Sequence, residues 1–128
     1  MTAAPKTILV VDDGALVRVY YRSILEGAGF QVEEALNGLE ALETLLVKEV
    51  HLLVVDINMP QMDGLTFLRA LREREDPMAA LPALVTSTES AAADFAAARA
   101  AGANYYLVKP VEREQLVEFA RMLCGVRP

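Results

Sequence analysis

Leu53-Val54-Val55-Asp56-Ile57-Asn58-Met59-Pro60-Gln61-Met62-Asp63-Gly64 decides how the rest of the chain is read. The apolar run over residues 52–55 stops at a carboxylate. A short β-branched run of this kind, followed by turn residues, reads as a buried strand. Asp56 then stands, exposed, where that strand leaves the core. Pro60 biases Met59 towards extended backbone, so the chain does not pass straight into helix. Asp63 is a favourable N-cap for a helix opening near Gly64. The segment reads as strand, exposed carboxylate, open loop, helix. In parallel α/β sheets, ligands collect at such strand C-termini.

Working outward, the pattern recurs. Residues 7–11 form a continuous apolar run ending in Asp12-Asp13, a central strand buried on both faces. Residues 15–26 carry Leu16, Val17, Tyr20, Ile24 and Leu25 with Arg18 and Arg22 between them, an amphipathic helix stopped by Gly27 and Gly29. Gly27-Ala28-Gly29 follows a helix rather than a strand, which favours a helix stop over a dinucleotide fingerprint. A second strand is expected over residues 31–35 and a turn at Asn37-Gly38. The second helix, residues 39–48, places Leu39, Leu42, Leu45 and Leu46 on one face. The third, residues 65–74, buries Leu65, Leu68 and Leu71 and is broken by Glu75-Asp76-Pro77. Residues 82–86 read as the fourth strand, which delivers Ser87. Ser90 is the expected N-cap of the alanine-rich helix over residues 91–101, ended by Gly102. Residues 104–108 form the fifth strand, ending at Lys109-Pro110, and residues 112–123 the last helix. Five strand–helix alternations predict an α/β domain with a parallel sheet covered on both faces. One domain spanning residues 1–128, with its core at about 7–123, accommodates them all.

The totals agree. The chain has 128 residues, 54% of them hydrophobic, enough for a packed core and too apolar for disorder. A net charge of −6 argues against a nucleic-acid backbone as partner. No apolar run reaches membrane-spanning length and no signal peptide opens the chain, so a cytoplasmic location is expected. The lone Cys124 reads as a small apolar residue of the last helix, and the lone His51 as a strand-edge or loop residue rather than a metal ligand.

Four polar features share one address. Asp12 and Asp13 follow the first strand, Asp56 the third, Ser87 the fourth and Lys109 the fifth. If the strand order is 2-1-3-4-5, the three acids converge at the topological switch point. Three neighbouring carboxylates repel, so either protons are retained or a cation fills the gap. Oxygen ligands with water suit Mg²⁺, which usually shares its shell with phosphate. A phosphoryl group is then a sensible substrate, and an aspartyl-phosphate a known type of covalent intermediate. The Ser87 hydroxyl and Lys109 ammonium would bind the remaining phosphoryl oxygens. Each piece alone has an ordinary structural explanation. Their joint placement is hard to obtain by accident.

With these residues the chain resembles the CheY-like receiver domain of two-component response regulators, over about residues 7–123. The motifs are Val10-Val11-Asp12-Asp13, Val55-Asp56-Ile57-Asn58-Met59-Pro60, Met62-Asp63-Gly64, Ser87 and Val108-Lys109-Pro110. The resemblance implies a flavodoxin-like (βα)5 fold of order 2-1-3-4-5. It implies Asp56 as phosphoacceptor. Mg²⁺ would be held directly by Asp13, Asp56 and the backbone carbonyl of Asn58, and by Asp12 largely through water. It further implies Ser87 and Lys109 as phosphoryl-binding groups, Tyr106 as the aromatic switch, and a cis Lys109–Pro110 bond. The implied partners are a sensor histidine kinase or histidine phosphotransfer domain and a downstream protein. The latter would bind the fourth helix, fifth strand and fifth helix. Neither nucleic acid nor membrane is an expected partner. Gly14 and Thr88 depart from the commonest pattern, and Asn58 and Glu89 occupy positions that tune dephosphorylation.

Two rival readings exist. A haloacid-dehalogenase-like phosphatase needs an acid two residues after its nucleophile, and Asn58 cannot protonate a leaving group. A pseudo-receiver docking module is disfavoured by the intact set of Asp13, Asp56, Ser87 and Lys109. The expected function is therefore a phosphoacceptor switch, catalysing only its own phosphorylation and dephosphorylation. A stand-alone receiver is the expected form, and a piece of a longer regulator or hybrid kinase the alternative.

Overall fold

The computed structural model describes residues 4–126. Five strands alternate with five helices: β1 (Thr7–Val11), α1 (Ala15–Gly27), β2 (Gln31–Ala35), α2 (Gly38–Val47), β3 (Leu52–Asp56), α3 (Gly64–Arg72), β4 (Ala83–Ser87), α4 (Ala92–Ala101), β5 (Tyr105–Val108) and α5 (Arg113–Cys124). A 3-10 turn, Pro77–Ala80, links α3 to β4. The strands pair in parallel in the order β2-β1-β3-β4-β5, as in flavodoxin-like folds. β3 and β4 are buried at every residue, whereas the edge strands β2 and β5 each expose part of theirs. Continuous apolar runs belong to strands covered on both faces.

Side chains alternate across the sheet and divide the core in two. Leu9, Val55 and Val85 face α2, α3 and α4, packed against Phe67, Leu68, Leu71 and Ala98. Ile8, Val10, Val54 and Leu84 face α1 and α5, packed against Tyr21, Ile24, Leu25 and Leu116.

Helix faces differ from expectation. In α1, Tyr21 is buried, while Leu16 is 85% and Tyr20 47% exposed. At about 100° per residue, Val17, Tyr21, Ile24 and Leu25 share one face, and Leu16 and Tyr20 sit on its flank. In α2, Ala41 and Leu45 point inward, and Leu39 and Leu46 lie outside for the same reason. In α3, Leu65 is half-buried, and Phe67 takes a fully buried position beside Leu68 and Leu71.

Caps follow local chemistry. Asn37 accepts from the Glu40 N–H, and Asp63 from the Thr66 N–H at 2.9 Å, which starts α3 where expected. Ser90 does not cap α4. Ala91 holds that position, and the Asp94 carboxylate reaches back to the Ala91 N–H at 3.2 Å. The acidic half of a capping box therefore does the work alone. Gly29 and Gly102, with φ of 98° and 106°, end their segments in left-handed backbone. His51 accepts the Thr7 N–H on Nδ1 at 3.0 Å, a role in strand registry. Cys124 packs against the α1–α5 core, and burial pushes its thiol up to about 11, so it stays protonated.

Candidate functional site

The register of the sheet builds the site. Val11 pairs with Val55, Asp56 with Thr86, and Ser87 with Val108. The next residues along β1 and β5, Asp12 and Lys109, therefore arrive at the same edge as Asp56 and Ser87. The Lys109 N–H donates to the Ser87 carbonyl at 2.7 Å, which locks the fifth strand's exit to the fourth's. The Lys109–Pro110 bond is cis, as expected.

Asp12 is 2% exposed and fully engaged. Its Oδ1 accepts the Gly14 N–H at 2.8 Å and its Oδ2 the Lys109 ammonium at 2.9 Å. Its backbone carbonyl accepts from Arg18 at 2.7 Å. Asp56 lies alongside, with Oδ1 3.3 Å from Lys109 Nζ. The exposed carboxylate expected at Asp56 is instead 6% exposed, because the flanking loops close over the strand end. Asp13 is the solvent-facing member. One carboxylate oxygen from each of Asp12, Asp13 and Asp56 lies within 4.8 Å of the other two.

Burial is the main force on Asp56 and raises its pKa, and the neighbouring charge of Asp12 adds to it. The Lys109 ammonium and the Asn58 backbone N–H pull the other way without cancelling the rise. For Lys109, burial opposes the charge. The hydrogen bond it donates to Asp12 and the fields of Asp56 and Asp12 outweigh it, so its pKa is raised. One ammonium therefore serves two buried carboxylates while a third stands beside them. This surplus of hard, anionic oxygens suits a small divalent cation such as Mg²⁺.

Ser87 is buried, and its Oγ accepts the Glu89 N–H at 3.1 Å. The Tyr106 hydroxyl donates to the Glu89 carbonyl at 2.9 Å, and its half-buried ring meets Phe95 edge-on at 4.6 Å. Asn58 and Thr88 are exposed on the loops that follow β3 and β4. The structure thus brings Asp12, Asp13, Asp56 and Lys109 together directly, and ties Ser87 to Tyr106 through Glu89.

Three residues stand beside the site in roles that were not foreseen. Tyr21, buried on α1, has its phenol pKa raised by burial, with Lys109, Asp12, Thr86 and Asp56 all acting on it. Thr86, paired with Asp56 in register, buries a hydroxyl. Gly64 packs against the Asp56 backbone. Of these only Gly64 left a sequence signal, as a glycine one residue after a helix cap.

Comparison with known proteins agrees with this geometry. The family model "Response regulator receiver domain" matches residues 8–121. A response regulator MprA of Mycobacterium sp. (strain KMS) is 39% identical over 119 residues, 93% of this chain and 50% of that protein. The MprA of Mycobacterium ulcerans (strain Agy99) is 40% identical over 116 residues, 91% of this chain and 49% of that protein. The chain thus spans about half the length of these curated relatives. Among solved structures, the chemotaxis response regulator CheY4 of Vibrio cholerae superposes with a TM-score of 0.86 at 31% identity, covering 93% of this chain and 98% of that one. The signal receiver domain of a signal transduction histidine kinase from Syntrophus aciditrophicus gives 0.87 at 28% identity, covering 94% and 90%. The acid cluster, the lysine and the sheet order sit in a chain that belongs to the response regulator receiver domains, the signalling modules of two-component systems.

Proposed function

We propose that this receiver, the unit spanning about residues 7–123, is a switch set by phosphorylation of Asp56. The observation that carries the reading is the convergence of the Asp12, Asp13 and Asp56 oxygens within 4.8 Å, with Lys109 Nζ 3.3 Å from Asp56. A carboxylate oxygen of Asp56 attacks the phosphorus of a phosphohistidine presented by a sensor histidine kinase or a histidine phosphotransfer domain. The new O–P bond forms as the N–P bond breaks, and the electron pair stays on the imidazole, which takes up a proton. Asp12, Asp13, Asp56 and the Asn58 carbonyl would hold Mg²⁺, which supplies charge neutralisation for the transferring group. Lys109 pairs with one phosphoryl oxygen and the Ser87 hydroxyl with another.

To reach the phosphoryl group, Ser87 must release the Glu89 N–H, and Glu89 also carries the Tyr106 hydroxyl. That shared residue connects the site to Tyr106 and to the surface of α4, β5 and α5, where a downstream protein would read the state. The added charge supplies the differential interaction that a population shift needs. Water later hydrolyses the acyl phosphate, so the domain acts on itself rather than turning over a substrate. Among the described residues, no helix is long and apolar enough to cross a membrane, which supports a cytoplasmic site of action.

The test is Mg²⁺-dependent labelling with acetyl phosphate, followed by intact mass. Wild type gains one phosphoryl group and Asp56→Asn gains none. Stoichiometric labelling of that variant would refute the assignment.

A further inference from the structure

We infer that helix α1 positions Lys109 through two adjacent tyrosines, Tyr20 and Tyr21. The inference rests on the reading that Lys109 pairs with the phosphoryl group, and adds which residues set its reach.

Lys109 leaves β5 at the end of the strand, so its backbone is free of the sheet on the downstream side. Upstream it is held by its N–H to the Ser87 carbonyl at 2.7 Å. Downstream the first side-chain tether is Tyr20, whose hydroxyl donates to the Val111 carbonyl at 3.1 Å. That bond joins residues 91 positions apart and ties the loop after β5 to α1.

Tyr21 acts from below. It is 2% exposed and its ring lies against that of Tyr20, with centroids 5.8 Å apart at 47°. The two rings and Lys109 line a common apolar recess of about 290 Å³, together with Pro110 and Val111. On one side, then, the lysine is drawn by Asp12 and Asp56. On the other it borders open volume into which a flexible four-carbon stem can swing. The tyrosines are the wall of that volume, and the Tyr20 hydroxyl holds the loop that forms its rim. The phenol of Tyr21 lies close enough to feel the charges of Lys109, Asp12 and Asp56.

These tyrosines are positioning residues. Neither touches the cluster of acids through a hydrogen bond, and both act through Lys109 and its loop. Tyr20→Phe removes one hydroxyl at a half-exposed position and leaves the ring in place. Tyr21→Phe does the same in the core.

The experiment compares wild type, Tyr20→Phe and Tyr21→Phe in two assays. One is the dependence of Asp56 labelling rate on acetyl phosphate concentration with Mg²⁺. The other is the fluorine NMR spectrum of the adduct with Mg²⁺ and beryllofluoride, a phosphoryl stand-in. Tyr20→Phe is expected to lower the maximal labelling rate by about three- to tenfold, the weight of one hydrogen bond, with little change in half-saturating concentration. The fluorine facing Lys109 is expected to shift or broaden in both variants, while melting curves stay cooperative. A purely structural role would lower the melting temperature and leave the fluorine spectrum of folded protein unchanged. If wild type is labelled and both variants match it in rate and spectrum, the inference is overturned and the phosphoacceptor reading stands. If wild type is neither labelled nor forms the adduct, both fall together.

Discussion

Gly64 presses its α-carbon against the backbone carbonyl of Asp56, and a β-carbon there would collide with that oxygen. The Gly64 N–H also donates to the Ile57 carbonyl at 2.9 Å, closing the loop between strand and helix. The first residue of α3 is thus built onto the backbone of Asp56, the proposed phosphoacceptor. Gly64→Ala must push one away from the other. We expect it to cost about 1–3 kcal/mol in denaturant unfolding, the usual range for overpacking, and to slow labelling of Asp56. Unchanged stability would show that the loop can yield.

Asp56 makes the unliganded protein sensitive to pH in a definite direction. Its pKa is raised by burial and by Asp12. An acid whose pKa rises on folding holds its proton more tightly in the native state. Stability is then greatest below the unfolded carboxylate pKa, falls as pH climbs to the folded value, and is level above it. Without divalent cation at neutral pH, Asp56→Asn is expected to melt above wild type. Adding Mg²⁺ should raise the wild-type midpoint and move the variant far less. Scanning fluorimetry with and without chelator checks both. A variant melting below wild type would contradict the sign.

Thr86 is fully buried, and its Oγ has no partner at hydrogen-bond distance and angle among the described residues, although the Tyr21 phenol lies near enough to feel it. A buried hydroxyl left unpaired carries its desolvation cost with no return, and valine has the same shape without it. Thr86→Val is therefore expected to stabilise by about 1 kcal/mol in urea unfolding. A loss of stability would mean that the hydroxyl is satisfied in solution.

Glu89 is gripped at both ends of its peptide, by Ser87 Oγ at 3.1 Å and by the Tyr106 hydroxyl at 2.9 Å. Tyr106→Phe frees the carbonyl. Exchange of the Glu89 amide is expected to accelerate about tenfold, as one net hydrogen bond predicts, with global stability nearly unchanged. Hydrogen exchange by NMR measures it, and unchanged protection of that amide would dissociate the two contacts.

Arg72 staples two carbonyl-bearing segments, donating to Gly102 at 2.7 and 3.0 Å and to Ala79 at 2.9 Å. Lysine cannot reproduce a planar fork. Arg72→Lys should lose about 1–2 kcal/mol in equilibrium unfolding, and a neutral result would show that the staple carries no net energetic weight.

The elements and their order were legible because their signals are local. Apolar runs ending in acid mark β1 and β3, Asp63 caps α3, and glycine or proline follows α1, α3, α4 and α5. Less legible was which face each helix buries. Leu16, Leu39 and Leu46 are as apolar as any core residue, yet they sit on flanks, because the sheet claims one face and hydropathy alone does not say which. The failure at Ser90 has a related cause: Asp94 supplied the cap from inside the helix.

By itself, then, the chain's order of residues determined the alternation of strands and helices. It also determined the presence of Asp12, Asp13, Asp56, Ser87 and Lys109 at strand ends, since backbone propensity, capping and periodicity act over a few residues. Only the tertiary structure decided that Asp56 is buried rather than exposed, that one lysine bridges it to Asp12, and that Tyr20, Tyr21, Thr86 and Gly64 stand around them. Those facts depend on sheet register and on loops closing from distant parts of the chain, and no local pattern encodes distances between residues dozens of positions apart.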